Sequence, residues 1–116
     1  MLEHATTGDG VLTALHLMSR MATSGHSLAE LAAVMTRLPQ VLINVPGVDK
    51  SRAHSDTELT AAIENAESEL GDSGRVLLRP SGTESLVRVM VEAETYEAAN
   101  QVAHRLADVV KSSLAL

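Results

Sequence analysis

Apolar positions recur along this chain with two periods, and the alternation between them predicts its elements. Val11, Leu12, Leu15, Met18, Met21 and Ala22 fall at helical spacing and predict a helix from about Asp9 to Ala22, with Asp9 near its N-cap. Thr23-Ser24-Gly25-His26 breaks that run. Ser27 then opens a second helix, and Glu30, three positions on, completes a capping box. This helix is expected to carry Leu28, Leu31, Ala32 and Met35 and to be ended by Pro39.

Beyond Pro39 the period changes. Val41-Leu42-Ile43-Asn44-Val45 is β-rich, lies between Pro39 and Pro46-Gly47, and reads as a strand. Residues 48–56 are mostly polar, hold Lys50 and Arg52, and read as a loop. A third helix is expected from Asp56 or Thr57 to about Leu70, with Leu59, Ala62, Ile63, Ala66 and Leu70 as its stripe. Gly71-Asp72-Ser73-Gly74 terminates it. A strand, turn and strand then span about Arg75 to Ala93. In the second strand Val87, Val89 and Val91 share one face, and Arg88, Met90 and Glu92 the other. A last helix covers about Tyr96 to Leu114, capped by Thr95, with Ala99, Val102, Ala103, Leu106, Val109 and Val110 turned inward.

From Pro39 onward the order is therefore β-α-β-β-α. It predicts an α+β fold: a small antiparallel or mixed sheet with helices on one face, preceded by two helices. The expected domains are 1–38, a helical segment and linker belonging to a preceding domain, and 39–116.

Composition sharpens this picture. Among 116 residues there is one Tyr and no Phe or Trp, so the core must be aliphatic, with the methionines packing alongside Leu, Val, Ile and Ala. Platforms for stacking nucleic-acid bases are thereby nearly excluded. A formal net charge of -6 argues against nucleic acid or an acidic membrane as partner. The positive charge that matters must be local, and Arg75, Arg79 and Arg88 are such a concentration. There are no cysteines, and His4, His16, His54 and His104 lack metal-ligand spacing. No signal-peptide pattern or membrane-length apolar run is present, so a cytoplasmic location is the default expectation.

The chemistry concentrates in Arg79-Pro80-Ser81-Gly82-Thr83-Glu84, between two apolar runs. A guanidinium offers a forked pair of donors to two phosphate oxygens. Ser81 and Thr83 add hydroxyls, and Gly82 lets backbone N–H groups face a ligand. Arg88 can supply a second charge or pair with Glu84 or Glu92. From residue types alone, a plain hairpin turn with one surface arginine is as good a reading as a phosphate site. Glu84 repels phosphate and reads as structural. Gly8-Asp9-Gly10 lacks the further carboxylates that a magnesium site needs and reads as a helix cap.

With its neighbours the turn says more. Residues 74–84, Gly-Arg-Val-Leu-Leu-Arg-Pro-Ser-Gly-Thr-Glu, followed by Leu86-Val87-Arg88-Val89-Met90, closely resemble the C-terminal domain of the α-D-phosphohexomutases, in particular the bacterial members that act on an amino-sugar phosphate. Thr6-Thr7-Gly8-Asp9-Gly10 with Leu12-Thr13-Ala14-Leu15 resembles the helix start that follows the sugar-recognition loop of that family. The resemblance covers essentially the whole chain, in order. It implies a four-domain enzyme around one cleft, of which this chain is the end of the third domain and the whole fourth.

In such enzymes a phosphoserine, with Mg²⁺ beside it, exchanges phosphate with the 1- and 6-positions of a sugar through a reorienting bisphosphate. The fourth domain holds the phosphate that is not being transferred. The resemblance thus implies phosphate binding by Arg79, Ser81, Gly82, Thr83 and Arg88. It implies no catalytic residue, metal ligand or cofactor in this chain, and Mg²⁺ in the parent enzyme. The family's phosphoserine, metal and sugar loops have no counterpart here, so no turnover is expected from the chain alone. Ser85 stands where the family usually has Pro, and a looser exit from the turn is expected. The expected partners are a sugar phosphate, the remaining domains of the parent, and a second copy through the N-terminal helix if its stripe stays exposed. A free-standing anion-binding or interaction module, and the same domain of a phosphoglucomutase or phosphomannomutase, stay open at this level.

Overall fold

The computed structural model describes Glu3 and residues 8–116. The lead-in read at residues 1–7, with His4 and Thr6-Thr7, lies outside the described residues apart from Glu3. The chain divides into two compact units, residues 1–37 and 38–116.

The first unit holds α1 (Gly10–Ser24) and α2 (Leu28–Ala32). Asp9 caps α1 by accepting the N–H of Leu12 at 2.9 Å, which is the helix-cap role read for Gly8-Asp9-Gly10. Gly25 closes the helix with φ at 72°, a left-handed conformation that a side chain would strain. The capping box of Ser27 and Glu30 forms as read. Its hydrogen bonds hold the Glu30 carboxyl below its ordinary range, the backbone N–H of Ser27 contributing most.

The second helix is much shorter than the expected run to Pro39: it stops at Ala32, and the N–H of Met35 turns back to the carbonyl of Ala32. A single helical turn fixes its backbone for few hydrogen bonds, so it persists only where packing holds its apolar face. Beyond Ala32 such packing is slight, because Val34 and Met35 are exposed. The stripe of α1 is exposed as well, at Val11, Leu15 and Met18.

The second unit is an α+β layer. Its strands are β1 (Gln40–Pro46), β2 (Arg75–Pro80) and β3 (Leu86–Glu92), and its helices are α3 (Thr57–Leu70) and α4 (Tyr96–Ser113). The sheet order is β1-β3-β2, antiparallel throughout, so the mixed alternative falls away. Asp56 caps α3 through the N–H of Leu59, and Thr95 caps α4 through that of Ala98. The loop read at 48–56 contains a 3₁₀ turn, Lys50–Arg52.

Strand alternation sorts the side chains into two faces. Val41, Val45, Val87, Val89 and Val91 are buried on one face. There α4 lies against β1 and β3, and α3 against β2 and α4. Ala99, Val102, Ala103, Leu106, Ala107 and Val110 are the buried stripe of α4, so Ala107 joins the expected set and Val109 sits at its margin. The core is aliphatic, as a chain without Phe or Trp requires, and it packs through β-branched residues on the strands and alanines on the helix. The other sheet face carries no helix of this unit.

On that open face the register lines up three rows across the strands. One is Gln40–Glu92–Arg75, the next Leu42–Met90–Leu77, and the third Asn44–Arg88–Arg79.

Candidate anion-binding site

Pairing of β2 and β3 ends at Pro80 and Val87, leaving a short loop, residues 81–85. The N–H of Ser81 donates to the Leu86 carbonyl at 2.9 Å and closes the loop. Ser81 is the one buried polar residue of the core, and its Oγ accepts the N–H of Glu84 at 3.3 Å. A hydroxyl that accepts still has its own hydrogen to donate.

A cavity of about 150 Å³ opens at this loop, lined by Arg79, Pro80, Ser81, Gly82, Thr83 and Arg88. All five site residues read from the sequence therefore meet around one space. The strand pairing brings in Arg88: it is the cross-strand partner of Arg79. Directly opposed like charges lie about 5 Å apart at Cβ and oppose strand pairing. Relief inside the chain is slight. Glu84 reaches Arg88 only at 4.0 Å, with both side chains about half exposed or more, and Arg79 has no hydrogen-bond or ion-pair partner among the described residues. The pair is left short of negative charge at the mouth of a cavity lined with hydroxyls.

Arg75 does not belong to this concentration. It lies four residues along β2 from Arg79, roughly 13 Å away at strand rise. There it grips Glu92 with two hydrogen bonds, at 2.7 and 3.1 Å. Glu92 also accepts from Gln40 at 3.0 Å, and the Arg75 contact holds its carboxyl below the ordinary range. Glu92 is thus taken, which removes it as a partner for Arg88.

Gly82 lines the cavity, and its own backbone makes no demand for glycine. Its φ is not left-handed, and a Cβ there would meet no protein atom within 4 Å. Neither the fold nor the turn demands glycine.

Lys50 carries no signal in the sequence, being 31 positions from Ser81. Its ammonium donates to the carbonyls of Ser81 at 2.7 Å and Glu84 at 3.0 Å. The register explains the meeting: Pro46, where β1 ends, pairs with Leu86, where β3 begins, so the turn after β1 abuts the loop before β3. The N–H of Gly47 likewise donates to the Ser85 carbonyl at 3.1 Å. That bond ties the exit of the loop at the position where looseness was expected. Pairing of this kind is invisible until the strand order is known.

Beside the cavity, on the same face, Leu42, Leu77 and Met90 form an apolar shelf that shares Arg79 and Arg88 with it. Among the described residues no group of three or more His, Cys, Asp or Glu side chains is placed to hold a metal ion. No helix among them is long and apolar enough to cross a membrane.

Residues 42–109 match the family model for the phosphoglucomutase/phosphomannomutase C-terminal domain, and residues 1–38 match that for the alpha/beta/alpha domain III of the same enzymes. The chain is 72% identical to a phosphoglucosamine mutase of a Nocardioides species over 116 residues, all of this chain and 26% of that protein. It is 68% identical to the phosphoglucosamine mutase of Kineococcus radiotolerans over 113 residues, 97% of this chain and 25% of that protein. The chain thus spans about a quarter of the length of the curated relatives it matches. Among solved structures it resembles Aspergillus fumigatus N-acetylphosphoglucosamine mutase in complex with GlcNAc-6P and magnesium. That likeness has a TM-score of 0.70 and 30% identity, and covers 91% of this chain and 21% of the fungal one.

Proposed function

Since this chain belongs to the phosphoglucomutase/phosphomannomutase family, we propose that its 81–85 loop grips the phosphate of an amino-sugar substrate within a larger cytoplasmic phosphoglucosamine mutase. That parent enzyme interconverts glucosamine 6-phosphate and glucosamine 1-phosphate. The observation that carries the reading is the opposed pair Arg79 and Arg88 at a cavity also lined by Ser81, Gly82 and Thr83. A phosphate between two guanidinium groups removes their repulsion and takes charge-assisted hydrogen bonds from both. The Ser81 hydroxyl and the N–H groups of Gly82 and Thr83 complete the donor set, since those of Ser81 and Glu84 are taken within the loop.

In this role the chain binds and orients. It holds the phosphate that stays in place while transfer occurs at the other end of the sugar, and the fixed geometry lowers the barrier by positioning and charge. The transfer itself, and the Mg²⁺ that the family implies, belong to the remaining domains of the parent. The acidic residues described here form no group of three or more placed to hold the ion. Names of relatives favour the amino sugar over glucose or mannose, since the relatives cited above are phosphoglucosamine mutases.

The test is a titration of glucosamine 6-phosphate, and separately of inorganic phosphate, into the chain while following the backbone amides of Ser81, Gly82 and Thr83 by NMR. Saturable shifts in the millimolar range are expected, absent in Arg79→Ala. Shifts that are missing, or that persist unchanged in Arg79→Ala, would sink the reading. Incubation of the chain alone with glucosamine 6-phosphate is expected to yield no glucosamine 1-phosphate.

A further inference from the structure

We propose that Lys50 is a positioning residue for the anion loop: it draws the carbonyls of Ser81 and Glu84 to the far side and so aims the N–H groups of Gly82 and Ser85 outward. The inference rests on the phosphate-gripping reading of that loop.

An anion site built from backbone must turn its carbonyls away, because their partial negative charge repels the ligand as strongly as the N–H groups attract it. Three carbonyls of this loop are drawn to the turn after β1. Those of Ser81 and Glu84 accept from the Lys50 ammonium, and that of Ser85 accepts from Gly47. A trans peptide is planar, with its C=O and N–H pointing in opposite directions. The carbonyl of Ser81 and the N–H of Gly82 belong to one such unit. With that oxygen held on Lys50, the N–H of Gly82 points away from the ammonium, and Gly82 lines the cavity. The carbonyl of Glu84 sets the N–H of Ser85 in the same way.

The turn that carries Lys50 is itself tied to the rest of the unit. The N–H of Asp49 donates to the Leu114 carbonyl at 2.8 Å, and Val48 pairs with Ala115 beyond α4. Val48 and Ala53, on either side of the turn, are buried. The Asp49 carboxylate accepts the Ser51 hydroxyl at 2.6 Å and its N–H at 3.1 Å. Lys50 is half-buried and has no carboxylate within ion-pair distance among the described residues. Its charge is therefore not neutralised, and it adds to the positive potential behind the loop.

The experiment compares the full chain with Lys50→Met, which keeps the stem and removes the donors, and with Lys50→Arg, which restores charge and two N–H donors. Free of ligand, Lys50→Met should move the amide resonance of Gly82, while the β3 amides around Val89 stay as they were. Its affinity for inorganic phosphate should fall about tenfold, the scale of one lost charge-assisted hydrogen bond. Lys50→Arg should recover most of both. An unchanged Gly82 amide in Lys50→Met would overturn the assignment. So would a loss of the Val89 amide signals, because a lysine the whole fold depends on does not act on the loop alone. If the parent chain shows no phosphate shifts at all, the phosphate reading fails, while the ligand-free Gly82 signal still decides what Lys50 does.

Discussion

The two ends of one sheet treat the same residue type in opposite ways. At one end Arg75 stands beside Glu92, which stands beside Gln40, and every charge and amide in the row has a partner. At the other end, four residues along the same strands, Arg79 stands beside Arg88, which stands beside Asn44. The first row is closed by hydrogen bonds within the chain. The second is electrically incomplete and opens on a cavity. A row that satisfies itself supports the sheet, whereas a row of like charges gains from anything that supplies negative charge. The contrast separates paired arginine from unpaired arginine more sharply than exposure does, since both Arg75 and Arg79 are exposed.

The largest expected effect lies at the closed end. Gly74 has an extended backbone, yet a Cβ there would run into the carbonyl oxygen of Glu92 and crowd the Leu70 Cβ. Gly74→Ala should lower stability by about 2–3 kcal/mol, the scale of an overpacked site. The check is a shift of the urea midpoint, and a midpoint matching the parent would show that the strand yields there easily.

At the open end the next largest losses are in binding. Arg79→Ala should weaken phosphate affinity roughly thirtyfold, and Arg88→Ala about tenfold, as expected for truncated charge-assisted contacts. Neither should reduce stability, because each relieves a repulsion. Thermal melts alongside the NMR titration separate the two quantities. A clear drop in melting temperature for either variant would mean the opposed pair is structural after all.

Gly82→Ala makes a finer distinction between a ligand site and a bare turn. The protein leaves room for the methyl group, so stability should hold or rise by about 0.5 kcal/mol. If the phosphate sits in the cavity that Gly82 lines, its affinity should fall several-fold. Unchanged affinity would remove Gly82 from the site.

The smallest effect concerns acid. Glu92 has its carboxyl held down first by its hydrogen bond to Arg75, so it favours the fold above its ordinary pKa. That contribution is lost as pH falls through its lowered folded-state value. Glu92→Gln should therefore lie below the parent in stability at neutral pH and converge with it in acid, while phosphate binding at pH 7 stays unchanged. A gap that persists undiminished in acid would show that the ion pair is not its source. Arg75→Ala should behave in the same way, again with phosphate binding intact.

Much of this was legible in residue order. The caps at Asp9, Ser27, Asp56 and Thr95 are local, since each joins side chain and N–H three positions apart. The alternation of β3 and the stripe of α4 mark the core because burial follows period. The reach of α2 was not legible, since its pattern continues to Met35 while Val34 and Met35 stay exposed. Nor was the fate of the three arginines. Arg75, Arg79 and Arg88 look alike in a list of charges, and only register assigns Arg75 to Glu92 and Arg88 to Arg79.

By itself, then, the order of residues determined the helices, the strands, the inward faces and the phosphate-suited turn, all of which depend on neighbours a few positions away. Tertiary structure alone decided what the turn is surrounded by. Antiparallel pairing carried Arg88 opposite Arg79, and the β1-β3-β2 order laid the turn of Lys50 against the carbonyls of Ser81 and Glu84. The physical reason is that a strand's partner is selected by the global packing of its apolar face. Contacts between distant segments follow from that choice and from nothing written next to them in the chain.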